Sequence, residues 1–380
     1  MRILVLNAGS SSVKYQVFSM AGNAEVLTSG LVDRIGEPGS EMTSHHHALE
    51  HLILHLQREG IIGSGQGIDA IGHRVVHGGE RFQQPVLIDA DVIAAIRDMI
   101  PLAPLHNPAN LQGIEVAQQL FPGIPQVAVF DTAFHQTMPP VAFRYALPAE
   151  LYREYRVRRY GFHGTSHQYV AQQAALYLKR DLSELNLITM HLGNGCSATA
   201  IAQGKSVDTS MGMTPLEGLV MGTRCGDLDP ALHFYLQREM GLTADALEHL
   251  LNKQSGLKGI CGVGDMREVQ SRMDLGDTDA QLAEALFVYR AKKYLGAYFA
   301  VLGNVDAIIF TGGIGEHSAR IREQICANLQ GLGIGVDSNK NQQRSKQVMP
   351  FHSDTASVQL LVIPTNEELA IARSTAALIA

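Results

Sequence analysis

The chain has 380 residues, 46% hydrophobic and 18% charged, with a formal net charge of −7. This balance excludes a disordered chain, and the acidic excess argues against a nucleic-acid surface as its main business. No window approaches the roughly 20 apolar residues of a membrane span, and the N-terminus turns polar too early for a signal peptide. The expectation is a cytoplasmic protein with neither nucleic acid nor membrane as partner, and length suggests two domains.

Residues 2–6 read as a strand, 7–12 as a turn and 13–18 as a second strand, giving a hairpin. Ser10, Ser12 and Lys14 fall on alternate positions, and on one extended face they would suit a phosphoryl oxygen. A helix is predicted over 45–58, with Leu49, Leu52, Ile53 and Leu56 inward and His47, His51 and His55 toward solvent. After the apolar Ala70-Ile71, glycines flank Arg74 in Gly72-His73-Arg74-Val75-Val76-His77-Gly78-Gly79. A guanidinium there could clamp a carboxylate or phosphate, or pair with a structural acid.

Helices are predicted over 90–99 and 107–120, with the rigid loop 101–108 carrying His106 between them. Asp131 lies just past the C-terminal end of an apolar strand, the edge where α/β sheets bind ligands, although it could equally cap a turn. A helix is predicted over 166–180, N-capped by Thr165 or Ser166, with His163 beside its start.

Around residue 190 the opening pattern recurs. Strand 187–190, loop 191–197 and strand 198–202 repeat the first hairpin about half a chain later, which suggests two similar domains. The Gly-punctuated stretch 208–227 has little to pack into a core and sets Arg224 between glycines. Helices follow over 230–240 and 280–302. Strand 305–310, loop 311–316 and helix 319–329 form a phosphate platform that matches neither the P-loop nor the dinucleotide fingerprint. Residues 337–357 read as a polar surface loop. After strand 358–363, Thr365-x-x-Glu368 reads as a capping box for a helix over 366–379, leaving Glu367 either as a hard oxygen donor for Mg²⁺ or as compensation for the helix dipole in its first turn. The cysteines at 196, 225, 261 and 326 form no CxxC pair and read as reduced thiols. Alkylation of Cys196 and Cys225, inside candidate loops, is expected to inhibit by bulk.

In combination these segments resemble the acetate kinases. Asn7-Ala8-Gly9-Ser10-Ser11-Ser12-Val13-Lys14 is similar to the family's first signature, and His191-Leu192-Gly193-Asn194-Gly195 to its second phosphate loop. The motifs around Arg74, His106, Asp131, His163, Arg224, Gly313 and Glu367 follow in the family's order. Position 317 is His where the family usually has Asn, and the segments near 35–65 and 330–360 look short.

The resemblance implies an α/β fold of two ribonuclease-H-like domains flanking a cleft, as in the acetate-and-sugar-kinase, actin and heat-shock ATPase superfamily. It places an N-terminal domain at 1–131 plus 366–380 and a nucleotide-binding domain at 132–365. It implies reversible phosphoryl transfer from ATP to acetate, giving acetyl phosphate and ADP, by a homodimer using Mg²⁺ or Mn²⁺. A propionate or butyrate kinase is the near alternative, and a non-catalytic nucleotide switch the distant one.

By the same resemblance Asp131, Arg224, His163 and Arg74 are catalytic, and Arg74, Val76, Leu105, Phe162 and Pro215 bind the carboxylic acid. ATP falls to Lys14, Ser10, Ser12, His106, His191, Leu192, Gly193, Asn194, Gly195, Asp265, Met266, Arg267, Gly313, Ile314, Gly315, Glu316 and His317. Asn7 and Glu367 place the metal. A carboxylic acid is ionised at neutral pH and needs no base, so catalysis is expected to be positioning plus charge neutralisation. A second carboxylate beside the substrate would repel it, so Asp131 is expected to orient a metal-bound water or an arginine.

Overall fold

The computed structural model describes residues 1–22, 24–63, 67–104 and 106–380. The chain forms two compact units, Met1–Gln136 with Asn366–Ala380, and Thr137–Thr365.

The first unit is built on β1 (Arg2–Ala8), β2 (Val13–Ser19), β3 (Glu25–Val32), β4 (Ala70–Val75), β5 (Val86–Leu87) and β6 (Gln126–Phe130), in the order β3-β2-β1-β4-β6-β5. β1 pairs antiparallel with β2 and parallel with β4, and β4 pairs parallel with β6. The apolar run of β1 is explained by helices on both sides of the sheet. Leu4 and Leu6 face a core with Leu49, Leu52 and Val116, whereas Ile3 and Val5 face one with Ile371 and Ala372. Gly72 lets the C-terminal helix Glu367–Ile379 lie close against β4, because a Cβ there would sit 2.5 Å from Thr375 Oγ1. That approach fixes the start of the helix, where Glu367 stands.

The second unit repeats the plan. Its strands β7 (Asn186–Leu192), β8 (Cys196–Ala202), β9 (Lys205–Thr209), β10 (Ala307–Thr311), β11 (Met349–Pro350) and β12 (Gln359–Val362) take the order β11-β12-β10-β7-β8-β9. The long helix Thr278–Leu302 packs on β8 and β7, and the helix Gly164–Leu178 on β7 and β10. Each unit thus has three antiparallel strands, two parallel ones and a short antiparallel edge strand, which is the mixed ribonuclease-H-like sheet in duplicate.

Several local expectations are corrected. Thr311–Glu316 is not a loop, since Gly312–His317 is itself a short helix directly after β10. The 337–357 stretch holds the turn of helix Ser338–Asn341 and β11, with Asn341 and Phe351 fully buried. The cap of the C-terminal helix is Asn366, whose side chain accepts from Leu369 N–H, while Thr365 N–H donates to Glu316. The helix before residue 180 begins at Gly164 with His163 at its N-cap position, so Thr165 and Ser166 lie inside its first turn. His55 is only half exposed, edge-on to the Tyr15 ring. The buried histidine of this helix is its neighbour His45, whose Nε2 lies 2.7 Å from the Gly9 carbonyl and braces the first turn.

Candidate active site

In the first unit the candidate side chains Asn7, Arg74 and Asp131 gather at the C-terminal ends of β1, β4 and β6. Arg74 on β4 meets Asp131, just beyond β6, through a two-pronged bond. Its Nε donates to Asp131 Oδ1 at 3.1 Å, and its Nη2 donates to Oδ2. Nη1 lies 3.4 Å from Asn7 Oδ1 at the end of β1. Glu367 Oε2 stands 3.9 Å from Arg74 Nε. Asp131 is only 1% exposed and Arg74 22%. Burial works against the guanidinium charge, but Asp131 and Glu367 more than offset it and hold its pKa above the ordinary value. Asp131 and Asn7 take three of the five guanidinium N–H groups, leaving two along the Nη1/Nη2 edge for a ligand oxygen.

Glu367 is pushed up to about 7, first by burial and then by Asp131 and Glu368, against the pull of Arg74 and Lys14. This donor set fits a small hard cation. Mg²⁺ takes one or two protein oxygens and completes its shell with water and substrate phosphate. The raised pKa also has a stability sign. The folded state keeps a proton that the unfolded chain has lost, so stability falls as pH rises from the ordinary carboxylate range through about 7. Glu367→Gln mimics the protonated side chain. Its melting temperature is expected to match wild type near pH 4.5 and to exceed it increasingly up to about pH 8. Thermal melts across that range, without metal, check this.

Ser10, Ser12 and Lys14 do not form the expected single face. Gly9 N–H donates to the Ser12 carbonyl at 2.7 Å, so the chain reverses there and Ser10 stands on the turn. Lys14, half exposed, pairs with Glu368 at 2.5 Å. Val76 is buried just after β4, its N–H donating to Asn110. His106 immediately precedes the helix Asn107–Leu120. Leu105 lies outside the described residues.

In the second unit the hairpin β7–β8 carries His191 to Ser197. Gly195 is the pivot. A Cβ there would lie 3.1 Å from Arg224 Nη2 and 3.4 Å from His163 Nε2, so the missing side chain lets both groups converge. His163 adopts the left-handed region, φ 56°, which a non-glycine residue rarely takes; such strain collects at functional positions. Its ring stacks on His191, centroids 4.2 Å apart, and its Nδ1 lies 2.9 Å from Ser197 Oγ. His191 Nδ1 is 2.9 Å from Ser166 Oγ, which is 2.8 Å from Thr365 Oγ1. Arg224 Nη1 donates to the Pro215 carbonyl at 2.6 Å rather than to a carboxylate. Burial lowers its pKa, opposed by the nearby Cys196 thiol. Among the described residues it has no acid partner, and a desolvated guanidinium in that position favours an incoming anion. Phe162 is buried beside His163, and Pro215 is half-buried on the loop that Arg224 anchors.

The remaining residues expected at the nucleotide divide in two. Gly313 and His317 are exposed on the helix Gly312–His317, Ile314 is half-buried and Gly315 buried. The Asn194 carbonyl accepts from Gly222 N–H at 3.0 Å, which presses the 193–195 loop onto the Arg224 loop. Glu316 instead turns inward, where its Oε1 accepts from the N–H groups of Gly312 and Thr365. Leu192 and Met266 are buried, so only their backbones are available to a ligand. Asp265 caps the helix Met266–Asp274 and pairs with the exposed Arg267 at 2.5 Å.

Three further residues, Arg322 and His167 buried and Arg159 half-buried, hold these parts in place. Arg322, 1% exposed, donates to the carbonyls of Gly315 and Glu316 and to Asn341, and so clamps the end of the Gly312–His317 helix. Arg159 Nη1 reaches the carbonyls of Thr209, Ser210 and Met211, and its Nη2 pairs with Glu217 at 2.6 Å, bracing the loop toward Arg224. His167 lies behind His163. Nothing in the sequence spacing of Arg159 and His167 distinguishes a brace from a ligand. The expectation for Cys196 is corrected. It is fully buried, its Sγ lies 3.1 Å from the Gly193 carbonyl, and burial pushes its thiol up to about 12, so an alkylating reagent does not reach it in the folded chain.

The chain matches the acetokinase family over residues 2–373. It is 52% identical to the acetate kinase of Syntrophobacter fumaroxidans, covering 99% of this chain and 96% of the relative. It is 53% identical to that of a Sulfurovum species, covering 99% and 98%. The crystal structure of Porphyromonas gingivalis acetate kinase, 44% identical, aligns over 100% of both chains with a TM-score of 0.95. A propionate kinase from Francisella tularensis, 45% identical, aligns over 99% of both with a TM-score of 0.94. This chain belongs to the acetokinase family.

Proposed function

We propose that this chain transfers the γ-phosphoryl group of ATP reversibly to the carboxylate of acetate, yielding acetyl phosphate and ADP. The observation that carries this reading is the convergence of Arg224 and His163 on the space left by Gly195, which places a guanidinium and an imidazole where an anion can sit. The first unit offers the complementary chemistry, a guanidinium with two N–H groups to spare beside a pair of oxygen donors.

Acetate is already ionised at neutral pH, so the nucleophile asks for no base. The obstacle is repulsion between a carboxylate and a triphosphate. Arg74 holds the carboxylate by its outer edge while Asp131 fixes the guanidinium plane. Arg224 neutralises charge on the transferring group, and His163 donates to one of its equatorial oxygens. His191 and His106 are secondary donors to phosphoryl oxygens. Asn7 and Glu367 would hold Mg²⁺, which supplies charge neutralisation across phosphate oxygens. The nucleotide falls to the 193–195 loop and the exposed side of the Gly312–His317 helix.

Val76 faces the acyl group and favours acetate over longer acids. A methylene is worth about 1–3 kcal/mol in such a pocket, so Val76→Ala is expected to raise the propionate-to-acetate ratio of kcat/KM by about 10-fold or more. An unchanged ratio would remove Val76 from the pocket. A propionate kinase is the second reading, favoured by the Francisella structure. Incubating the protein with ATP, Mg²⁺, hydroxylamine and a panel of short-chain acids traps each acyl phosphate as its hydroxamate. Acetate is expected to give the highest kcat/KM, and no hydroxamate from any acid would overturn the reading.

We also infer a homodimer formed through the second unit, working in the cytoplasm, where its co-substrate ATP is found. The helix Ala231–Met240 has no buried residue and exposes Phe234, Tyr235 and Met240 at 61%, 54% and 62%. The chain leading into it is tied to the long helix by Asp227, which binds Arg290 and Tyr294, and that helix exposes Leu282 and Tyr289. Apolar surface of this extent is characteristic of an interface. No helix among the described residues is long and apolar enough to cross a membrane.

A further inference from the structure

Behind His163 runs a chain of buried side chains to which the reaction above gives no part. Ser197 Oγ stands 2.9 Å from His163 Nδ1 and 2.7 Å from His167 Nε2. His167 Nδ1 in turn stands 2.7 Å from Thr189 Oγ1. Thr189, Ser197 and His167 are all fully buried. The three partners come from rigid elements, namely the middle of β7, the start of β8 and the first turn of the helix Gly164–Leu178.

We propose that Ser197 and His167 are positioning residues that fix the tautomer of His163, so that its Nε2 carries the proton and is presented beside Gly195. Ser197 has one hydroxyl proton and two imidazole nitrogens to serve, so it donates to one and accepts from the other. A phosphoryl oxygen only accepts, so a neutral His163 must carry its proton on Nε2 and leave Nδ1 bare. Ser197 therefore donates to His163 Nδ1 and accepts from His167 Nε2–H. His167 Nδ1 is then bare and accepts from the Thr189 hydroxyl. Every link has one proton and one acceptor, and the direction is set the same way along the whole chain. The hydroxyl also anchors a ring whose backbone is held in the left-handed region, where its orientation would otherwise be poorly defined.

The proposal rests on the phosphoryl-transfer reading for the direction of the chain and for the effect on rate. The tautomer is measurable without turnover, so failure of either can be told apart. Nitrogen NMR of ring-labelled protein at about pH 8, where imidazole is ordinarily neutral, is expected to show His163 with a bare Nδ1 and a protonated Nε2. A proton on Nδ1 would overturn the proposal. In Ser197→Ala the two tautomers are expected to mix. Its kcat is expected to fall about 10–100-fold, the scale seen when the group orienting a functional histidine is lost, with the KM values for ATP and acetate little changed. His167→Gln keeps an N–H near the imidazole Nε2 position and is expected to retain near-wild-type kcat, whereas His167→Met, which removes it, is expected to lose kcat as Ser197→Ala does. Equal loss in His167→Gln and His167→Met, or an unchanged kcat in Ser197→Ala, would assign the chain to packing alone.

Discussion

Arg224→Ala is expected to lower kcat by about 10³–10⁵-fold, the range for removing an arginine that stabilises a transferring phosphoryl group. The side chain is desolvated and its hydrogen bond goes to the Pro215 carbonyl, so its charge serves no structural ion pair among the described residues. Folding is therefore expected to tolerate the change, with a melting temperature close to that of wild type. Arg224→Lys keeps the charge but not the fork that reaches both Pro215 and the space beside Gly195, and is expected to recover only a minor part of the rate. Steady-state kinetics beside a thermal melt decide this. A folded Arg224→Ala enzyme with a rate within tenfold of wild type would remove Arg224 from the transition state.

Asp131→Asn is expected to lower kcat by about 10²–10³-fold, the scale of losing one pre-aligned electrostatic contact, while the KM for acetate changes much less. Asp131 is buried and faces Arg74 with both oxygens. An amide can accept only one of those two bonds and presents N–H groups to the other, so the guanidinium plane turns. The neutral side chain also stops compensating Arg74, which leaves Glu367 as its nearest acid at 3.9 Å. Glu367 is then drawn toward its ionised form and into closer pairing with Arg74, which competes with its holding a metal. An effect confined to the KM for acetate would show that Asp131 touches substrate rather than orienting Arg74.

Apolar runs flanking Gly/Ser loops make the duplicated hairpins legible in the sequence, because a strand buried on both faces leaves a continuous apolar run. The chain order of Arg74, Asp131, His163 and Arg224 was legible as motif. Hidden from sequence were the groups that hold these side chains. Arg322 braces the helix Gly312–His317 through bonds to carbonyls that any residue would offer, so no pattern marks it. Glu316 stands in a conspicuous Gly-Gly-Ile-Gly-Glu run, yet its carboxylate serves backbone N–H groups inside the unit. Ser10 and Lys14 misled because alternation was read through a turn that the Gly9–Ser12 hydrogen bond closes. Each case turns on where a side chain or the backbone points, which long-range packing decides.

In the proposed reaction fixed cations and donors bring two anions together, and no proton leaves the nucleophile. The most direct test is the rate of single-turnover transfer of a labelled γ-phosphoryl group from ATP to acetate, measured in H₂O and in D₂O above the pH at which Glu367 is ionised. Equal rates in the two solvents are the predicted result. A transfer markedly slower in D₂O would contradict the account, because it would put a moving proton into the step that forms the phosphate–carboxylate bond.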